Sequence, residues 1–158
     1  MSDTKSVSVS EIFSLQRPEQ KPRTKNQLWI KDVGYDEAPW YSERMGLLEL
    51  EDFLKVAGER IDYVKIATTQ VLGHPENWLK RKIALYQEHS IQPYLDHGYF
   101  LRAFRLGVVD EAIEAGAALG FSVMELMNTF GDVPERQLRK WRSLARDCGM
   151  SLIYEHHP

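Results

Sequence analysis

The feature that most limits what this chain can fold into is a repeat. Short apolar runs, QLWI, IDYVKIA, IQPYL, FSVMELM and SLIY, begin near Gln27, Ile61, Ile91, Phe121 and Ser151. They lie about 30 residues apart, the length of one βαβ unit. The segments between them carry helical periodicity. In LLELEDFLKVAGER, Leu47, Leu50, Phe53, Leu54 and Ala57 share a face, and Gly58 is the expected stop. In GHPENWLKRKIALYQEHS, Pro75 suits the first helical position, and Trp78, Leu79, Ile83 and Tyr86 form the inner stripe. GYFLRAFRLG and VVDEAIEAGAALG read as two helices broken at Gly107. GDVPERQLRKWRSLARDCGM turns Leu138, Trp141, Leu144 and Ala145 inward, with Asp132 as cap and Gly149 at the end. The expectation is an α/β chain of four βα units and the start of a fifth parallel strand. Residues 1–26, polar and carrying Pro18 and Pro22, are expected to form a flexible N-terminal arm.

Composition bounds the function. A chain of 158 residues with 43% hydrophobic residues can build one domain with a real core. A net charge of −3 gives no basic excess to bind nucleic acid or an anionic membrane. The basic residues Arg136, Arg139, Lys140, Arg142 and Arg146 therefore read as a solvated outer face. Cys148 is the one cysteine, so no internal disulfide framework is expected, and a reduced cytoplasm is the expected location.

Strands buried under helices on one face and in a barrel interior on the other should be almost wholly apolar, so charges within them carry information. In YVKIA, Val64 and Ile66 share one face, and Lys65 points the other way with Tyr63 and Ala67. In SVMELM, Glu125 lies opposite Met124 and Leu126; in LIYEH, Glu155 alternates with Tyr154, and Asp32 closes the first run. Such charges must pair, bind an ion or meet a ligand. A structural ion pair between Lys65 and a glutamate is the plain alternative. Their place toward the C-terminal ends of parallel strands, where barrel active sites form, favours a functional role.

The segments KPRTKNQLWIKDVG, LEDFLKVAGERIDYVKIA, RKIALYQEHSIQPYLDHG, AGAALGFSVMELMNTFGDVP and ARDCGMSLIYE resemble the N-terminal part of the phosphosulfolactate synthase family, from Lys21 to Glu155 in unbroken order. EDFLKVAGERIDYVK is the most specific piece. The resemblance implies a partial TIM-type (β/α) barrel over residues 27–158. It also implies a magnesium-dependent lyase of coenzyme M biosynthesis that adds sulfite to phosphoenolpyruvate. On that basis Lys65, Glu125 and Glu155 would be catalytic, and Asp32, Glu125 and Glu155 would hold magnesium. Where the chain departs from the family, Arg44, Thr68, Thr69, His97 and Asn128 are the candidates to bind the small anionic substrate.

The chain also departs from the family. Where the family has a glycine-rich turn after strand two, this chain has Ala67 to Gln70; its paired glycines after strand three are Asp96 and His97; its aspartate-glycine after strand four is Asn128 and Thr129. Glycines in such turns let backbone amides approach a phosphate. The family's lysine-bearing turn after strand five falls at Pro158. A longer first loop, VGYDEAPWYSERMG, brings Trp40, Tyr41 and Arg44 as lid residues or a self-packed surface loop. Asp96, His97, Glu125, Glu155 and His157 could meet at one rim, a donor set closer to a transition metal than to magnesium, although its spacing matches no zinc motif. A closed barrel takes about eight units. The chain is therefore expected to be either part of a longer protein or a homo-oligomer. A non-catalytic, barrel-derived binding or interaction protein is the alternative function.

Overall fold

The computed structural model describes residues 19–32, 45–127 and 133–155. Its elements run β1 (Trp29–Asp32), α1 (Leu47–Ala57), β2 (Tyr63–Ile66), α2 (Thr68–Gly73), α3 (Glu76–Glu88), β3 (Gln92–Leu95), α4 (His97–Leu106), α5 (Val109–Leu119), β4 (Val123–Met127), α6 (Glu135–Asp147) and β5 (Ser151–Glu155). The five strands form one sheet in the order β1-β2-β3-β4-β5, and every neighbouring pair is parallel. Each strand thus returns beside its predecessor through helices, the (β/α) grammar of a TIM-type barrel. The barrel is partial: β1 and β5 are the two edges of the sheet.

Register sets what each face carries. Asp32 pairs with Ile66, Ile66 with Leu95, and Leu95 with Met124, so these four side chains share the face that meets the helices. There Val64, Ile66, Leu95, Met124 and Leu126 pack with Leu50, Leu54, Leu79, Ile83, Tyr86, Ile113 and Trp141 in one buried cluster. Each such side chain contributes about 1.5–3 kcal/mol of burial. The opposite, inner face carries Trp29, Lys31, Tyr63, Lys65, Tyr94, Glu125 and Glu155. It is layered: Trp29 stacks on Tyr63 with ring centroids 3.8 Å apart and meets Tyr94 edge-on at 5.4 Å, while the charges lie nearer the C-terminal strand ends.

The helices follow the periodicity with three differences. First, α1 does not stop at Gly58; that residue keeps right-handed helical angles and opens a 3-10 turn, Gly58–Arg60. Second, the segment after β2, expected as a turn, is the short helix α2, entered through extended Ala67. Third, the inner stripe of α3 includes Lys82, buried with Leu79, Ile83 and Tyr86. The break between α4 and α5 does fall at Gly107, whose φ of 71° is a left-handed conformation that side chains with a Cβ resist. Asp132 lies outside the described residues, and Pro134 occupies the cap position of α6. The basic stripe of α6 faces outward, with Arg139 paired to Glu135 and Lys140 to Asp110.

Of the expected arm, residues 1–18 lie outside the described residues. Within residues 19–26, Lys21 and Arg23 are tied to the domain. Arg23, 7% exposed, makes a forked contact with Asp62, its Nε donating at 3.0 Å and its Nη2 at 2.9 Å. It also donates to the Arg60 and Glu59 carbonyls. Lys21 donates to the carbonyls of Gly58 and His89. Asp62 in turn accepts from the Leu28 amide, which places the entry to β1. A planar guanidinium suits this bidentate pairing, and sequence proximity to prolines says nothing about it.

Tyr154 on β5 is 48% exposed, and Leu152 beside it is only partly buried. An edge strand with apolar side chains and unpaired backbone groups finds partners. The 158-residue chain is therefore expected to self-associate at micromolar concentration in light scattering. A monomer that stays monomeric across a hundredfold concentration range would contradict this.

Candidate functional site

The inner-face charges converge at the C-terminal ends of β2, β3, β4 and β5. Lys65 Nζ lies 2.7 Å from Glu125 Oε2 and 5.7 Å above the Tyr94 ring, so the ammonium is held between a carboxylate and an aromatic face. Glu125 is 6% exposed. Its Oε2 also accepts from the His97 backbone amide at 3.1 Å, which is possible because His97 opens α4, where amides lack helical partners. The His97 ring turns to the same point: Nδ1 lies 3.3 Å from Glu125 Oε2 and 2.8 Å from Glu155 Oε2. His97, Glu125 and Glu155 thereby bring three potential ligand atoms within 4.8 Å of one another.

Neighbouring hydrogen bonds fix this arrangement. Asp96 caps α4 by accepting from the Gly98 amide at 2.7 Å, and accepts from the Thr68 hydroxyl at 3.2 Å. Gly98 is needed there: a Cβ would fall 2.7 Å from Thr68 Oγ1. Lys31 Nζ stands 3.8 Å from Asp96 and is the register partner of Lys65, so two lysines sit side by side on the inner face. The Tyr94 phenol is held above the ordinary tyrosine range, chiefly by burial and then by Glu125, Asp96 and Glu155; it stays protonated and neutral.

Asp32 is elsewhere, which corrects the expected metal set. Its face is the helix side, where Lys82 Nζ lies 2.6 Å from Oδ2, and both side chains are 0% exposed. The Tyr86 hydroxyl donates to Oδ2 and Gln70 Nε2 to Oδ1, each at 2.8 Å. Lys82 also donates to Gln70 Oε1 at 2.7 Å and to the Met45 carbonyl at 3.0 Å. Burial pushes the Lys82 pKa below the usual lysine range, with Asp32 opposing it. Burial, then Asp32, pushes the Tyr86 phenol up. Asp32 has its oxygens committed to three protein donors and is a structural anion.

Of the expected substrate contacts, His97 joins the cluster. Thr68 is occupied with Asp96, and Thr69 Oγ1 is buried with no hydrogen-bond partner among the described residues. Arg44, Asn128 and His157 lie outside the described residues. Lys31 and Lys82 were missed. Alternation in WIKD puts Lys31 opposite Ile30 and Asp32, and only the register aligns it with Lys65; the spacing Leu79, Lys82, Ile83, Tyr86 on the inner stripe was a signal for Lys82 already present in the sequence.

The magnesium implied by resemblance does not fit this donor set. Asp32 is spoken for, a ring nitrogen occupies one of the three ligand positions, and Mg²⁺ demands oxygen ligands in near-octahedral order.

Parallel strands in sequential order, joined through helices, define an α/β fold of the (β/α)-barrel type, open among the described residues. Residues 16–158 match the (2R)-phospho-3-sulfolactate synthase (ComA) family, and the chain belongs to this family of lyase-type enzymes. It is 28% identical over 106 residues to the phosphosulfolactate synthase of Methanocaldococcus jannaschii, covering 67% of this chain and 42% of that protein. It is 22% identical over 135 residues to the phosphosulfolactate synthase of Methanothermobacter thermautotrophicus, covering 85% of this chain and 48% of that one. The chain thus spans about half the length of the curated relatives it matches. Among solved structures, it is similar to the 3-dehydroquinate dehydratase from Aquifex aeolicus VF5, with a TM-score of 0.49 and 16% identity over 83% of this chain and 52% of that one. Among the described residues, no helix is long and apolar enough to cross a membrane.

Proposed function

We propose that this chain supplies the anion-binding rim of a phosphosulfolactate-synthase-type reaction, the addition of sulfite to phosphoenolpyruvate. The observation that carries the reading is the lysine pair: Lys65 and Lys31 side by side on the inner face, at the strand ends of a chain in this family. Both reactants are anions, and charge grows on the substrate carboxylate as reaction proceeds. The sulfite sulfur lone pair forms the C–S bond at C3, the C2–C3 double-bond electrons move onto the carboxylate side, and a proton at C2 completes the product. Lys65, fixed by Glu125 and backed by Tyr94, is placed to stabilise that charge and to give the proton, which solvent then restores. His97 and Glu155, both about 30% exposed, form the solvent side of the same rim. A cytoplasmic setting belongs to this reading.

The test is sulfite-dependent loss of phosphoenolpyruvate, with binding of each anion measured separately by calorimetry. The chain should bind phosphoenolpyruvate and consume it only when sulfite is present. A chain that binds neither anion is an interaction protein on a barrel scaffold, and the synthase reading fails.

A further inference from the structure

We infer that His97, Glu125 and Glu155 form a binding site for one divalent transition-metal ion of the zinc and cobalt class. The inference rests on the proposed function only in taking the rim as the working site. Its first ground is the convergence itself. Glu125 Oε2 and Glu155 Oε2 both approach one ring nitrogen, Nδ1, at 3.3 and 2.8 Å. One nitrogen carries at most one proton, and the hydrogen-bonding geometry at Nδ1 is met toward Glu125 Oε2, so one N–H does not serve both carboxylates. A cation at the meeting point serves all three ligand atoms at once.

The second ground is charge. Among the described residues, Asp96, Glu125 and Glu155 contribute three carboxylates, and Lys31 and Lys65 contribute two ammonium groups, which leaves an anionic surplus around the ring. The third is donor chemistry. One imidazole nitrogen with two carboxylate oxygens is a set for zinc-like ions, which accept three protein ligands and keep a position open. The ligands sit on supported elements. Glu125 lies in the middle of β4, Glu155 ends β5, and His97 opens α4 next to the Asp96 cap. Glu125 is also the partner of Lys65, so the ion and the ammonium compete for the same oxygen.

That competition gives a signed test. Cobalt(II) is titrated into the chelator-stripped 158-residue chain and followed by visible absorption and calorimetry, then chased with zinc and with magnesium. One cobalt per chain is expected, displaced by equimolar zinc and retained in a hundredfold excess of magnesium. His97→Ala and Glu155→Gln should each weaken uptake about 100-fold or more while circular dichroism melting stays unchanged. Lys65→Met should tighten it, by about three- to tenfold, because the competing charge is gone. No cobalt uptake, uptake indifferent to His97→Ala, or displacement by magnesium would each overturn the site. Phosphoenolpyruvate binding that persists without cobalt uptake removes the metal site and leaves the proposed function; cobalt uptake without anion binding does the reverse.

Discussion

Asp32→Ala should destabilise the fold by about 3–5 kcal/mol, the cost of leaving one member of a buried ion pair unpaired. Lys82 would be left as an ammonium at 0% exposure, with Gln70 Oε1 and the Met45 carbonyl as its remaining acceptors. Lys82→Met should cost a similar amount, because Asp32 would keep only the Tyr86 and Gln70 donors. The double variant Asp32→Leu with Lys82→Met should recover most of the loss, since apolar replacement of both partners is often neutral or stabilising. Urea denaturation of the four proteins decides it. Single variants within about 0.5 kcal/mol of wild type, in the range of ordinary surface changes, would sink the structural assignment. The same experiment separates this role from the metal role expected of Asp32, which predicts altered metal uptake and little change in stability.

Lys65→Met is expected to abolish the proposed sulfite-dependent loss of phosphoenolpyruvate and to weaken phosphoenolpyruvate binding by about 10- to 100-fold, corresponding to about 1.5–3 kcal/mol for a charged hydrogen bond. The fold should hold. Methionine fills a similar volume against Tyr94, and Glu125 keeps the His97 amide and ring as partners. Lys31→Met should give a smaller loss, because its side chain is 43% exposed and its charge is screened by solvent. Lys65→Arg separates charge from position: it restores the charge but not the compact ammonium, so affinity should return in part and turnover should not. Unchanged affinity in Lys65→Met would leave Lys65 as a structural partner of Glu125 and nothing more. Measured beside cobalt uptake, this variant moves two readouts in opposite directions, which simple unfolding cannot do.

The five strands, their order of appearance and the helices between them could be read from apolar runs about 30 residues apart, because a buried parallel strand and an amphipathic helix each impose a period that local residue choice must satisfy. The same logic found Lys65, Glu125 and Glu155, since a charge inside an apolar run stands out whatever the tertiary context. The residues that were misjudged were those whose meaning depends on a partner far away. Asp32 looked like Glu125 and Glu155, a carboxylate toward the C-terminal end of a strand, yet it shares a face with Ile66 and meets Lys82, 50 positions on. Arg23 looked like part of a loose arm until Asp62 stood opposite it. His97 had been grouped with Glu125 and Glu155 from the sequence, and the contact forms because the start of α4 lies beside β4 and the end of β5. Periodicity is a local property and survives in one dimension. Which charge faces which is fixed by register and by helix placement, long-range quantities that the packed structure alone decides, and they put Asp32 with Lys82 on the helix side and Glu125 and Glu155 with His97 on the inner face.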